Sequence, residues 1–217
     1  MKSQRLRPLV GTLALSAVVA ALLAVFAGGA AGGGGGGDST KMRWDIVQLS
    51  GSPPTLTLSP GGKASADAEH GNRITITGTG TFRVGKSRGV SGGGTWATTG
   101  PDVGANNGTF EVTRFVSFEL APGFEPATFT DNIGRTADFR GGLAVLQIAY
   151  SDGSKGVLIV SCHAPAGAPD SVFEGITASK GFVDFWNREA PTGAPPFTLG
   201  TDENRTQFHV LPGEEDD

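Results

Sequence analysis

Only one cysteine, Cys162, stands in the 217 residues, so no disulfide can form within the chain and burial must hold the fold together. Histidine is almost as scarce. His70, His163 and His209 show no paired spacing that would clasp an ion, so neither a metal nor another cofactor is expected. Cys162 and His163 are neighbours on an extended segment and point to opposite faces, which leaves Cys162 as a small core residue. Positive charge is short as well: 17 Lys and Arg stand against 21 Asp and Glu. A domain with that balance offers no footprint for phosphate backbones, and nucleic acid is excluded as a partner. The glycines belong to strand patterns without a following helix or a Lys-Ser/Thr pair, so they form no phosphate loop. No GxSxG nucleophile elbow occurs. Beyond the N-terminal forty residues, Gly or Pro interrupts nearly every long window, which excludes long amphipathic helices.

The N-terminus has what the rest does not. Lys2, Arg5 and Arg7 precede an uncharged apolar run from Leu9 to Phe26, closed by Ala27-Gly28-Gly29-Ala30-Ala31. Residues 1–31 therefore read as an export signal peptide or, uncleaved, as an N-terminal membrane anchor, the one route by which the chain would meet a membrane. Residues 32–40 follow as a Gly-rich flexible tether, 41–212 as a β domain and 213–217 as a solvated acidic tail. The first 37 residues hold three of the bases and no acid, leaving 14 bases against 21 acids and a charge of −7. The expected location is outside the cytoplasm: secreted, periplasmic or attached to the cell envelope.

Apolar residues recur with period two through the remainder, the pattern of strands with one dry and one wet face. Ile74, Ile76, Phe82 and Val84 share a face within Arg73–Val84, with Gly78 and Gly80 on the same side. Phe110, Val112, Val116, Phe118 and Leu120 alternate in the next long run, where Arg114 interrupts the apolar face and implies a bulge. Leu143–Tyr150 and Lys155–Cys162 flank Asp152-Gly153, which predicts a type I′ hairpin with Ile148 opposite Val157, Leu146 opposite Ile159 and Leu143 opposite Cys162. Segment 121–142, rich in Gly and Pro but carrying three phenylalanines, reads as a packed cover. Further strands are expected over Val172–Thr177, Lys180–Asn187 and Gln207–Leu211, with a Pro-rich connection after Ala190. The fold class is all-β with little helix: a single antiparallel barrel or sandwich of roughly eight or nine strands.

The chemical inventory is thin. Phe182, Asp184 and Trp186 alternate on one face of Lys180–Asn187; the preferred reading is that this face is partly exposed and Asp184 solvated, the alternative that an acid beside buried aromatics serves as an acid or base or pairs with Arg114. Glu174 and His163 complete the catalytic candidates. Trp96, Phe182 and Trp186 are the candidate ligand-binding residues, as core or as the wall of an interior pocket.

The segments Ser91-Gly92-Gly93-Gly94-Thr95-Trp96, Asp170–Ile176 and Gly181-Phe182-Val183-Asp184-Phe185-Trp186-Asn187 resemble an uncharacterised group of small exported bacterial proteins. That resemblance implies no activity and no site residue. The inward glycines also make the strands similar in architecture to dirigent and allene-oxide-cyclase barrels, without a shared site motif. Two functions are expected to compete: a binding or interaction module of the cell envelope for a small apolar ligand or a protein partner, and a cofactor-independent isomerase or hydrolase with an acid or base in an interior pocket.

Overall fold

The computed structural model describes residues 39–51, 56–122, 129–163, 172–189 and 204–212. The expected signal or anchor, nearly all of the tether, the Pro-rich connection and the acidic tail lie outside the described residues.

Fifteen strands are described: β1 (Lys41–Ser50), β2 (Thr57–Pro60), β3 (Ala64–Asp67), β4 (Arg73–Ile76), β5 (Thr79–Arg83), β6 (Lys86–Thr99), β7 (Asn106–Leu120), β8 (Thr130–Asp131), β9 (Phe139–Arg140), β10 (Gly142–Tyr150), β11 (Lys155–Cys162), β12 (Gly175–Lys180), β13 (Val183–Phe185), β14 (Asn187–Arg188) and β15 (Arg205–Val210). They belong to one sheet whose main path runs β13-β12-β11-β10-β7-β6-β5-β1-β15-β9. Pairing is antiparallel except between β2 and β8. Two single-turn 3₁₀ segments are the only helical elements among the described residues. The all-β reading with little helix holds. The strand number exceeds eight or nine because runs that look continuous change partners or turn.

Arg73–Val84 is one such run. Its first half pairs with β3 and its second half with β1, and the switch falls at Thr77-Gly78, where the Ile46 N–H donates to the Gly78 carbonyl at 2.9 Å. Lys180–Asn187 is another: Gly181 adopts φ +60 and turns β12 back into β13. A run of alternating residues cannot reveal a glycine that is used for its backbone freedom.

The hairpin around Asp152-Gly153 forms, but one residue out of the expected register. Ile148 faces Gly156, Leu146 faces Leu158 and Gly142 faces Cys162. A type I′ turn needs positive φ at two residues, and only Gly153 (φ +88) has it. The connection is a three-residue loop instead: the Gly153 N–H donates to the Tyr150 carbonyl and the Tyr150 N–H to the Ser154 carbonyl, each at 2.9 Å. The Asp152 carboxylate holds this loop by accepting from the Ser154 N–H (3.0 Å) and hydroxyl (2.7 Å).

Strand β7 carries two bulges against β10, one between the Gln147–Arg114 and Ile148–Val112 pairs, the other between Val145–Ser117 and Leu146–Phe115. The first turns Arg114 out to solvent. Together they put Phe115 into the core and leave Val116 and Leu120 exposed, against the simple alternation.

The core gathers Trp44 and Ile46 from β1, Phe82 from β5, Phe115 from β7, Leu146 and Ile148 from β10, Leu158 and Val160 from β11, Ile176 from β12 and Phe208 from β15. Phe82 stacks on Phe115 with centroids 4.8 Å apart, and Phe118 meets Phe208 edge-on at 5.1 Å. The sheet does not close into a barrel. Side chains join β11 to β15, where the Thr206 hydroxyl donates to the Ser161 carbonyl at 2.6 Å. The described part of the cover, residues 129–141, pairs with β2 and β15 and packs Phe129 and Ile133 over Val47, Leu49 and Leu58.

Candidate functional site

The four catalytic candidates separate into three places. Arg114 lies exposed at its bulge, and Asp184 is exposed on the outward side of β13. Glu174 and His163 do come together, but through the backbone: the Glu174 carboxylate accepts the His163 N–H and the Thr206 N–H, each at 2.7 Å. The His163 ring is bonded through Nδ1 to the Val172 carbonyl. Burial pushes the Glu174 carboxyl up to about 7, against the pull of those two N–H groups and of Arg205 and His163. With its oxygens on the ends of β11 and β15, Glu174 straps the seam of the sheet.

Other polar groups are buried beneath the cover. On the face of β1 and β15 away from the core, Asp45 accepts from Arg43 Nε (2.8 Å), Arg43 Nη2 (2.9 Å) and the Thr79 hydroxyl (2.6 Å). Burial is the main influence on Asp45 and holds its carboxyl above the usual range. The neighbouring His209 bonds Asp131 Oδ2 through Nε2 at 2.7 Å, while Asp131 Oδ1 accepts the N–H groups of Ile133 and Gly134. These bonds latch the cover to β15. Among the described residues no three His, Cys, Asp or Glu side chains gather to hold a metal ion.

Among the described residues the core is filled by its own side chains. Trp44 is fully buried and fills the space beside Gly78 and Gly80, whose added side chains would lie 2.9 and 2.6 Å from its indole. Trp96, 3% exposed, belongs to the core and also borders an open cleft over β4, β6 and β7. It meets Tyr150 edge-on at 5.7 Å and carries the Lys180 ammonium 4.2 Å above its ring. Lys180 also pairs with Asp152, whose carboxyl it holds down at about 2, and donates to the Ser154 hydroxyl at 3.0 Å. This closes one end of the core with a cation between two aromatic rings.

The remaining candidates stand outside. Phe182 is fully exposed at the β12–β13 turn and Trp186 is 57% exposed, because Phe185, not its neighbours, is the residue of this segment that enters the core. The expectation that Trp186 belongs to the core or to the wall of an interior pocket is thereby corrected, while the exposed, solvated Asp184 is as expected. Next to them an open cleft of about 490 Å³ lies over β7, β10, β11 and β12, bordered by Thr113, Gln147, Lys155, Val157, Ser179 and Gly181. Ser179 faces Asp184 across the β12–β13 pair, and Gly181 precedes Phe182, so the cleft and the aromatic rim are continuous. A second open cleft, about 420 Å³, lies over β4, β6 and β7, but its Thr77 and Thr95 hydroxyls are bonded to each other at 2.7 Å.

Comparison with known proteins finds no matching family model, curated protein or solved structure.

Proposed function

We propose that this chain is an exported binding module of the cell envelope, not an enzyme, and that it takes its partner on the outer face at the rim of β12 and β13. The observation that carries this reading is the contrast between a core filled, among the described residues, by its own side chains and two aromatic residues, Phe182 and Trp186, left in water at the two ends of β13. Exposing large aromatic surface is costly, and such surface marks interaction sites. A small apolar ligand would need an enclosed apolar pocket, which the open, polar-bordered cleft does not provide. The isomerase or hydrolase reading needs two candidate groups in one interior pocket, whereas Glu174 and His163 meet through backbone bonds.

The test is sedimentation of the purified protein with a washed envelope fraction. The protein should pellet with the envelope, and the double variant Phe182→Ser/Trp186→Ser should stay in solution with an unchanged melting temperature. Equal pelleting of the double variant, or none by the parent, would contradict the proposal.

A further inference from the structure

Resting on that reading, we infer that the ligand of the β12–β13 rim is a neutral glycan. A pyranose ring has C–H faces that stack on aromatic rings and an equator of hydroxyls that needs hydrogen-bonding groups beside them. The rim supplies both kinds of group, and they alternate. Phe182, in the β12–β13 turn, and Trp186, just past β13, are four residues apart with the three-residue strand between them, up to roughly 13 Å at the usual rise per residue, enough to lie under more than one sugar ring. Between them stands Asp184, exposed and without a side-chain partner among the described residues. In the adjoining cleft the Gln147 amide and the Lys155 ammonium are exposed and likewise unpartnered. The Ser179 oxygen accepts from the Val157 N–H at 3.0 Å, which leaves its hydroxyl proton to donate outward.

The charges decide between ligand classes. Lys155 lies in one row with Ala149 and Glu111, and Arg114 lies beside Gln147. Two bases, Arg114 and Lys155, thus face two acids, Glu111 and Asp184, around the cleft, all four exposed. A balanced surface gives no steering to a phosphate, an anionic headgroup or a strongly charged peptide. The aromatic residues are set apart by polar groups, so they form no continuous apolar patch of the kind that a stable protein interface buries at its centre. Separated aromatic platforms with free amide, carboxylate and hydroxyl groups between them fit a neutral polyhydroxylated chain. Most indole surface of the protein is hidden, with Trp44 and Trp96 in the core, so ligand contact at Trp186 has its own optical signal.

The experiment titrates the purified protein with soluble neutral polysaccharides (dextran, mannan, xylan, arabinan and mixed-linkage β-glucan) and with polygalacturonate as a charged control, following tryptophan emission. At least one neutral polymer should shift the emission saturably, polygalacturonate should not, and 0.5 M salt should leave the affinity within twofold. Trp186→Ala should abolish the signal, and pull-down of the same polymer by Trp186→Ala, Phe182→Ala or Asp184→Ala should fall at least tenfold, with the parent melting temperature retained. Envelope pelleting that depends on Phe182 and Trp186 without binding to any neutral polymer would overturn the glycan assignment while leaving the binding-module reading intact. Binding that survives Trp186→Ala undiminished in pull-down would overturn the site. Loss of both pelleting and glycan binding in the parent would overturn both readings.

Discussion

The indole of Trp44 on β1 occupies the space that a side chain at Gly80 on β5 would need: a Cβ there would stand 2.6 Å from Trp44 Nε1 and would collide with the Ser91 carbonyl. The two residues face each other across the β1–β5 pair, so the large ring and the missing side chain are one packing unit. Gly80→Ala should therefore cost about 3 kcal/mol by overpacking, read as a lower urea midpoint with an unchanged slope. A change within a few tenths of a kcal/mol would mean that the indole has room to move.

The cation over Trp96 gives a second expectation. Lys180 is mostly buried between Trp96, Tyr150 and Asp152, so Lys180→Met should lower stability by about 1–2 kcal/mol through loss of the ion pair and the cation–π contact. Tryptophan emission should change as well. That change should disappear in a Trp96→Phe background, because Trp96 is the indole that carries the Lys180 ammonium.

Glu174 makes stability depend on pH. Its carboxyl titrates at about 7 when folded and at 4.5 when free, so the folded protein binds the proton more tightly. The contribution is fully present below about 4.5 and is lost as pH rises through about 7, by up to about 3 kcal/mol. Melting temperatures at pH 5 and pH 8 should differ in that direction, and Glu174→Gln should reduce the difference. A parent that becomes more stable between those two values would refute the assignment.

Much of this fold was legible in period-two patterning and turn chemistry, since both are local. Ile74, Ile76 and Phe82 enter the core as their alternation requires, and the bulge at Arg114 follows from a cation on an apolar face. What local pattern could not show is the partner of each segment. Gly181 looks like one more strand residue until its positive φ turns the chain. The side of the sheet that Phe182, Asp184 and Trp186 face is set by Phe185 packing against distant β strands. The pairing of Asp131 with His209 joins residues 78 positions apart and leaves no trace in spacing.

That Asp131–His209 latch supplies the fourth expectation. Asp131→Ala would strand a buried imidazole and two N–H groups, and should cost about 3–5 kcal/mol in urea unfolding. A loss below 1 kcal/mol would show that the cover does not need the latch.

The decisive measurement is an amide and indole NMR map of the protein as the neutral polysaccharide that it binds is added. Shifts are expected at Gln147, Lys155, Ser179, Gly181, Phe182, Asp184 and the Trp186 indole, with the indoles of Trp44 and Trp96 unmoved. Shifts centred on Trp44, Phe82 and Leu146 would place the ligand inside the core and contradict binding on the outer face.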